Sequence, residues 1–206
     1  MTEHWEVLPE GTANTWSLLQ NVPLIEQLYL AGGTGLALHI GHRISRDLDF
    51  FAERRFDVDA LIQIIKSLGN FQLEMKDEQT VVGVLDGTKI SFLGYHYPLL
   101  EKDTMLRGVR VAAIADIACM KIDAIAGRGT KRDFIDLFYI VRDISLDVLM
   151  GLFRKKYTAI GYNLMHIKKS MVYFDDAEDD PMPDMLIPVG WNLVKTFFLA
   201  EVPKLM

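Results

Sequence analysis

Hydrophobic and polar residues repeat with two different periods in the first half of the chain. Residues 57–69 carry apolar side chains at helical spacing between an aspartate and a glycine, which predicts a helix with both ends marked. Residues 71–97 instead alternate apolar and polar side chains on both sides of Asp86-Gly87, a dipeptide suited to a tight hairpin. We expect a strand pair there, extended to three strands.

A glycine pair interrupts the pattern upstream of these elements. The short apolar run before Gly32-Gly33 predicts a strand that ends in a glycine turn. Small and apolar residues from Thr34 onward predict a short buried helix, and Gly41 is placed to close it as a C-cap. Residues 47–51 then return to an extended conformation.

The pattern changes near Leu106, after which helical periods dominate. Helices are predicted over residues 114–128, 131–143, 146–157, 162–172 and 191–201. The acidic, proline-containing stretch Asp175–Met185 precedes the last helix and is typical of an exposed loop. We therefore expect an α+β protein, with a mixed α/β unit over residues 1–105 and a helical unit over residues 106–206.

Composition narrows the class of protein. Half of the 206 residues are hydrophobic, enough for a sizeable core, and the formal net charge is −6. Such a chain does not coat nucleic acid by charge alone, so a polyanion must meet a local cluster of cations. The single cysteine, Cys119, excludes an internal disulfide and a cysteine-based zinc site. The sequence lacks a leader-like start and a long apolar run, so we expect a cytoplasmic protein with no membrane partner.

The tetrapeptide His39-Ile40-Gly41-His42 matches an ATP-binding signature of class I aminoacyl-tRNA synthetases. In those enzymes the motif begins a helix, whose N-terminus attracts phosphate, whereas here it ends a predicted helix, where the dipole has the opposite sign. The two histidines could share a metal on a helix, but no cysteine or third histidine lies nearby in the sequence to complete a site. We expect capping or surface roles for both.

The glycine turn and two aspartates that follow the helix are more informative. Glycine N–H groups and the first N–H groups of a helix form a cradle for phosphate, to which the Thr34 hydroxyl adds a ligand. Asp47 and Asp49 lie two apart in an extended segment, so their carboxylates point to one side, roughly 6–7 Å apart. Mg²⁺ suits such a pair, since it takes carboxylate oxygens and bridges to phosphates. The alternative is an edge strand with a solvated acidic face.

Gly32-Gly33-Thr34, a short helix and the sequence DLDF from Asp47 resemble the glycine-plus-D-x-D signature of the DNA polymerase β-like nucleotidyltransferase superfamily. More closely, the chain resembles the AbiEii/AbiGii toxin family within it, through residues 28–51, 109–140 and 173–185. The resemblance implies a nucleotidyltransferase core, a small mixed sheet flanked by helices, followed by a helical C-terminal domain. It also implies a toxin, paired with an antitoxin, that uses Mg²⁺ or Mn²⁺ to move a nucleotide from an NTP to RNA such as tRNA, or to a protein.

The resemblance assigns roles to individual residues. It implies that the glycine turn and Thr34 bind the triphosphate, and that Asp47 and Asp49 are catalytic metal ligands. Lys121 is implied to hold phosphate or the acceptor, and Asp133 is implied to join it in the catalytic site.

Basic residues of the second half also point to nucleotide binding without the resemblance. Four of them share a helix face or flank the next glycine turn, and form the local cation cluster that an acidic protein needs for an NTP: Lys121, Arg128, Lys131 and Arg132. Asp133 and Asp136 share one face in the first turn of the following helix, where carboxylates suit the dipole. A capped helix pair with interhelical ion pairs is the alternative, and for Asp136 it is the one we expect.

One position departs from the superfamily pattern. A third carboxylate commonly lies on a neighbouring strand, where it activates the attacking hydroxyl, but this chain has Ser91 at that place. Serine cannot act as that base at neutral pH without a base of its own. Three outcomes stay open: Asp133 supplies the carboxylate, the acceptor needs little activation, or the protein is a catalytically impaired nucleotide-binding or partner-binding protein with the same fold.

Overall fold

The computed structural model describes residues 3–20, 22–158 and 161–205. Its strands are β1 (Tyr29–Leu30), β2 (Leu48–Ala52), β3 (Phe71–Asp77), β4 (Thr80–Leu85), β5 (Thr88–Gly94), β6 (Thr104–Leu106) and β7 (Val109–Val111). Its helices are α1 (Glu10–Leu19), α2 (Gly32–Ile40), α3 (Val58–Leu68), α4 (Ile114–Gly127), α5 (Lys131–Ile140), α6 (Leu146–Lys156), α7 (Leu164–Ser170), α8 (Asp175–Glu178) and α9 (Trp191–Glu201). None of these helices has the length and apolar character needed to cross a membrane.

The strands form one mixed sheet in the order β3-β4-β5-β2-β1-β7-β6. β2 is parallel to β5 and β1 is parallel to β7, whereas the other neighbours are antiparallel. The register places Asp49 of β2 beside Ser91 of β5. Because β1 and β2 are antiparallel, the glycine turn at the end of β1 lies next to the start of β2, and the N–H of Ala31 donates to the carbonyl of Asp49 at 3.0 Å.

Strand β2 buries one side and leaves the other partly open. Leu48, Phe50 and Ala52 are buried in a core cluster that includes residues of α1 and α3. The intervening Asp49 and Phe51 are half-buried and face away from that cluster. Alternation along a strand thus separates core residues from candidate site residues.

The predicted hairpin and the predicted first-half helix are confirmed. Asp86 and Gly87 adopt positive φ angles of 47° and 84° and join β4 to β5, as a tight hairpin requires. Asp57 caps α3, where its carboxylate accepts a hydrogen bond from the N–H of Ala60 at 2.9 Å.

Helix α2 begins at Gly32, earlier than the predicted start at Thr34. Gly32 has a φ of 63°, a backbone conformation that turns the chain from β1 directly into the helix and that favours glycine. Gly41 ends the helix with a φ of 72°, so its predicted role as C-cap is confirmed.

The second half of the chain is helical, which confirms the α+β class. Helix α4 packs against α2, α5, α6 and α7. Trp191 and Phe198 of α9 both contact the ring of Phe134, and Phe174 contacts the rings of Phe134 and Trp191. The boundary expected between residues 105 and 106 falls within β6, and the sheet continues through β7 before the helices begin.

The acidic stretch before α9 is largely exposed, as predicted, but it is not an irregular loop throughout. It begins with the helical turn α8. Residues 180–187, which we call the strap, then lie along the segment after α2. The N–H of Ile44 donates to the carbonyl of Asp184 at 2.8 Å, and the N–H of Leu186 donates to the carbonyl of His42 at 2.9 Å. Backbone pairing therefore fixes this segment in place.

Candidate functional site

Two aspartates at the start of β2 face the glycine turn. Asp47 and Asp49 are both half-buried, and both line one cleft of about 400 Å³. The Ser91 hydroxyl donates a hydrogen bond to Oδ1 of Asp49. Gly32 lies on the other side of that carboxylate, since a Cβ on Gly32 would come within 3.1 Å of Oδ2 of Asp49. The structure thus holds the Asp49 carboxylate between a serine hydroxyl and a bare backbone.

Gly33 leaves room for a buried arginine. A Cβ at this position would lie 2.2 Å from Nη2 of Arg43, closer than two such atoms can approach. Arg43 is itself 4% exposed, and its guanidinium lies against the first turn of α2. The glycine therefore leaves this space to the guanidinium, and a side chain here would require Arg43 to move.

Thr34 lies in the cleft wall but its hydroxyl is already engaged. The side chain is 2% exposed, and Oγ1 lies 2.7 Å from Oγ of Ser45 and in hydrogen-bonding contact with the carbonyl of Asp47. These contacts tie the start of α2 to the residues before β2. Thr34 thereby fixes the distance between the glycine turn and the aspartates.

Four buried ionic side chains form a network behind the cleft. Asp136 is fully buried and accepts two hydrogen bonds from Arg43, from Nε at 2.7 Å and from Nη2 at 2.8 Å. Nζ of Lys121 lies 2.6 Å from Asp136 and 2.9 Å from Asp133. Two cations and two carboxylates therefore balance one another in the interior, as buried charges require.

Arg128 extends this network to the surface. Its Nε donates to Asp133 at 3.1 Å, while 68% of its side chain stays exposed at the cleft mouth. The Thr130 hydroxyl also donates to Asp133, at 2.7 Å. Asp133 thus holds three donors, one of which is an exposed cation beside the aspartates of β2.

The network shifts the pKa values of its members. Burial alone would raise the pKa of Asp133, but the nearby charges of Lys121 and Arg128 outweigh it and lower the pKa to about 2. Burial likewise opposes the charge on Lys121, yet Asp136 and Asp133 raise the pKa of its ammonium group. The pKa of Asp136 falls well below its ordinary value, because Lys121 and Arg43 outweigh the effect of its burial. All three groups are charged at neutral pH.

The family "Nucleotidyl transferase AbiEii toxin, Type IV TA system" matches the chain over residues 16–100 and 95–204. The protein belongs to the AbiEii nucleotidyltransferase toxin family. A relative from Aquifex aeolicus (strain VF5), described as uncharacterized protein aq_aa25, is 40% identical over 188 residues, which cover 88% of this chain and 89% of the relative.

Solved structures share the fold of this AbiEii-family chain. MenT4, nucleotidyltransferase toxin Rv2826c from Mycobacterium tuberculosis H37Rv, matches with a TM-score of 0.62 at 18% identity, covering 95% of this chain and 83% of that one. JHP933 from Helicobacter pylori matches with a TM-score of 0.56 at 16% identity, covering 96% and 92%. At these identities the likeness establishes the fold alone.

Most site residues expected from the sequence meet in this AbiEii-family cleft. Eight of them line it: Gly33, Thr34, Asp47, Asp49, Lys121, Arg128, Arg132 and Asp133. Gly32 lines the adjoining cavity. Lys131 is not brought to the cleft, because its ammonium group donates to the backbone carbonyls of Glu178 and Asp180 and is 6% exposed. Arg132, the next residue, lines the cleft instead.

Sequence reasoning missed Arg43 and misjudged His42. His42 is fully buried and contacts Asp136 at 2.8 Å, so it has neither of the surface or capping roles expected for it. His39 contacts the carbonyl of Ala112 at 2.8 Å and is half-buried. Asp136 forms the expected ion pair between helices, with Lys121 of α4. It also contacts His42 and Arg43, which lie after α2. The sequence does show two basic residues, His42 and Arg43, directly after the C-cap Gly41. An exposed turn would have the same pattern, so the sequence did not indicate that they are buried.

Proposed function

We propose that this AbiEii-family protein is a nucleotidyltransferase toxin that depends on Mg²⁺ or Mn²⁺. It moves a nucleotide from an NTP to an acceptor hydroxyl on RNA, such as tRNA, or on protein. One observation carries the proposal. A single cleft combines the Asp47 and Asp49 carboxylates, the glycine turn at the start of α2, and the cations Lys121 and Arg128. Carboxylates for a metal and donors for phosphates are the two requirements of phosphoryl transfer.

The carboxylates present fit magnesium. The described residues contain no group of three acidic, histidine or cysteine side chains that could hold a metal by themselves. Mg²⁺ does not require such a cage, because it binds through one or two carboxylates, water and substrate phosphates. Asp47 and Asp49 would hold it, and when bound it would offset charge on the triphosphate. Asp49 is oriented for this by the hydrogen bond from Ser91.

The remaining groups place the phosphates. N–H groups at the start of α2 and its positive dipole end lie at the glycine turn, which suits an anion. Lys121, fixed between two carboxylates, and the more exposed Arg128 lie across the cleft. In the transfer, the oxygen of an acceptor hydroxyl forms a bond to the α-phosphorus, and the bond from that phosphorus to the oxygen that bridges to the β-phosphate breaks. Pyrophosphate leaves with the electron pair of the broken bond, and the hydroxyl proton passes to water.

Asp133 acts in this proposal as a positioning residue. Its pKa of about 2 makes it a poor acceptor for the proton of the attacking hydroxyl, and its oxygens already receive hydrogen bonds from Lys121, Arg128 and Thr130. Ser91 supplies no carboxylate either. Catalysis here therefore rests on placement of substrates more than on strong base catalysis.

A neighbouring cavity provides space for the acceptor. It has a volume of about 410 Å³ and is bounded by the strap and by residues shared with the cleft, Asp47, Thr130 and Arg132. Arg46 also lines it and pairs with Asp184 of the strap at 2.7 Å. Arginines beside the metal-binding carboxylates suit the phosphates of an RNA end.

Nucleotide transfer gives the direct test. Purified protein is incubated with each labelled NTP, Mg²⁺ and total tRNA, beside Asp47→Asn and Asp49→Asn. We expect label on RNA with the wild type and a loss of roughly a hundredfold or more in each variant, because each removes a metal ligand. Asp147→Asn, an exposed residue of α6, should match the wild type. Transfer that survives both variants would contradict the mechanism.

Growth inhibition tests the toxin role separately. Induced expression of the wild type in a bacterial host should arrest growth, whereas Asp49→Asn should not, and co-expression of a cognate antitoxin should restore growth. A different result is that the wild-type protein accumulates without impairing growth and still transfers nucleotide in vitro. That result would contradict the toxin role but not the nucleotidyltransferase activity.

Ser91 motivates a second candidate, a catalytically impaired protein that binds nucleotide or a partner. Its signature is binding of Mg²⁺ and NTP with no label transferred to RNA or to protein. Ser91→Asp adds a carboxylate beside Asp49, so this candidate predicts that the variant gains transfer activity absent from the wild type.

A further inference from the structure

A second cavity continues the cleft in the opposite direction from the strap. It has a volume of about 430 Å³, within the range of small-molecule pockets, and begins at Gly32, Gly33 and Asp49. Its exposed lining is largely apolar and includes Phe51, Leu93, Tyr95, Met120 and Ala124. We call this cavity the apolar chamber.

The chamber follows from side-chain alternation on two parallel strands. Phe51 lies two residues beyond Asp49 on β2, and Leu93 lies two residues beyond Ser91 on β5, so all four face one side of the sheet. Phe51 and Leu93 are paired in the register, as are Asp49 and Ser91. Two residues further along the strands, a distance of roughly 6–7 Å, this side of the sheet therefore changes from the polar pair to the apolar pair.

We propose that the apolar chamber receives the base of the NTP, and that Asp123 on its wall selects bases that carry an amino group. The inference rests on the proposed function, which puts the triphosphate at the glycine turn. A nucleotide whose phosphates lie there can extend its base toward Phe51 and Tyr95, whose rings offer stacking surfaces. The cavity beside the strap is lined by charged groups and suits a base less well.

Asp123 is the one acidic residue, among those described as lining the chamber, that does not also line the cleft. It lies on α4, is half-buried, and its Oδ1 accepts a hydrogen bond from the Tyr162 hydroxyl at 2.7 Å. A carboxylate has acceptor capacity on both oxygens, so this contact orients the group without exhausting it. Because carboxylate oxygens accept hydrogen bonds, their partner on a base is an N–H group, and the exocyclic amino group is the one that projects furthest from the ring.

This chemistry separates the four nucleotides. Cytosine, adenine and guanine each carry an exocyclic amino group, whereas uracil presents carbonyl oxygens at the corresponding positions. A carboxylate facing a carbonyl oxygen gains no hydrogen bond and adds repulsion between acceptors. A site of this kind discriminates strongly, because the wrong base leaves a partly buried polar group without its partner. We therefore expect UTP to be the disfavoured substrate.

Equilibrium binding of the four NTPs with Mg²⁺ tests the selection. The wild type should bind at least one of CTP, ATP and GTP more tightly than UTP by about tenfold or more, the worth of a hydrogen bond to a charged group. Asp123→Asn offers both a donor and an acceptor and should bring this ratio close to one, whereas Asp147→Asn should keep the wild-type ratio. An unchanged ratio in Asp123→Asn overturns the role of Asp123 while leaving the proposed function intact.

A larger side chain in the chamber tests whether the base of the NTP binds there, independently of the role of Asp123. Ala124→Phe places a ring in the cavity and should weaken binding of each NTP by about tenfold or more. Binding of inorganic tripolyphosphate, which has no base, should remain within twofold of the wild type. Equal weakening of both ligands, or of neither, overturns the chamber as base site. Failure of the wild type to bind any NTP contradicts the proposed function and this inference together.

Discussion

Gly32 and Gly33 shape the site because they have no side chains. Gly32 keeps its backbone clear of Oδ2 of Asp49, and Gly33 keeps the start of α2 clear of the Arg43 guanidinium. A side chain at either position would enter space that is already occupied. At the residue scale, the glycine turn thus serves both the presentation of N–H groups and the packing of two charged neighbours.

Gly33→Ala tests this packing. The added methyl group must displace Arg43 from its two hydrogen bonds with Asp136, so we expect a loss of about 1–3 kcal/mol in the free energy of unfolding. Binding of Mg²⁺ and NTP should weaken by roughly tenfold. Urea unfolding and equilibrium binding measure the two effects.

The matched control is Gly151→Ala in α6, where an added Cβ meets no atom within 4 Å. It should stabilise the helix by about 0.5–1 kcal/mol and leave nucleotide binding unchanged. Equal behaviour of the two variants would mean that Arg43 moves aside at no cost.

The sequence predicted the residues of the cleft better than the contacts behind it. The turn, the aspartates, Lys121 and Arg128 carry local patterns of spacing and charge, and these residues do line one cleft. Two partners of Asp136, His42 and Arg43, come from a segment more than 90 residues earlier. Pairing across such a distance leaves no periodic signal, so Arg43 and His42 could not be placed. In the sequence, Lys131 is as good a candidate for the cation cluster as its basic neighbours. In the structure, its ammonium group instead donates to the backbone of the acidic stretch.

At the scale of elements, the turn after α2 is joined to α5 by polar contacts. His42 and Arg43 leave the end of α2 and both bind Asp136 of α5. Burial lowers the pKa of His42, although its contact with Asp136 acts in the opposite direction. Its Nδ1 has no hydrogen-bond partner in the described part of the chain. A neutral ring with Nε2 donating to Asp136 accounts for this arrangement.

The buried ring makes this junction sensitive to acid. A histidine whose pKa is lower in the folded than in the unfolded state loses its stabilising contribution as pH falls below the unfolded value, about 6.5. His42→Gln should therefore reduce the dependence of unfolding free energy on pH between 7.5 and 5.5, by up to about 1.4 kcal/mol per pH unit. Urea unfolding at a series of pH values measures it.

His96→Gln is the control for this experiment, since His96 is exposed. It should keep the wild-type slope. The half-buried His39, whose pKa is also lowered by burial, stays in both variants and contributes a remaining slope. A wild-type slope in His42→Gln would contradict the neutral buried ring.

Prediction of the elements succeeded where periodicity was strong. The hairpin at Asp86-Gly87, α3 and the helices of the second half form as expected. Strands β6 and β7 were not expected, because three-residue strands are too short to show alternation. The strap was expected only to be exposed. Its hydrogen bonds with His42 and Ile44 could not be predicted, because they join backbone atoms and are independent of side-chain type.

At the scale of the whole molecule, the described residues form two hydrophobic clusters. One lies between the sheet and the first three helices, and the other unites the helices of the second half. Helix α9 closes the second cluster through Phe198, which is fully buried against Phe134 of α5. The last helix therefore stabilises α5, which carries Asp133 and Asp136.

Phe198→Ala tests the contribution of this closure. Removal of the buried ring leaves a cavity and should lower the free energy of unfolding by about 3–5 kcal/mol. Leu199→Ala removes the neighbouring side chain, which is 55% exposed, and should cost less than about 0.5 kcal/mol. Urea unfolding compares the two. Similar costs would mean that α9 contributes little to the second cluster.

Strand β2 interleaves two sets of residues, and this limits how the protein can change. Leu48, Phe50 and Ala52 belong to the core, while Asp47, Asp49 and Phe51 face the cleft and the chamber. Insertion of one residue before Asp49 would exchange the two sets, sending a carboxylate inward and phenylalanine outward. Descendants of this sequence can therefore vary the depth of the chamber from β5 and α4, but the spacing along β2 from Asp49 to Phe51 is inherited as a fixed length.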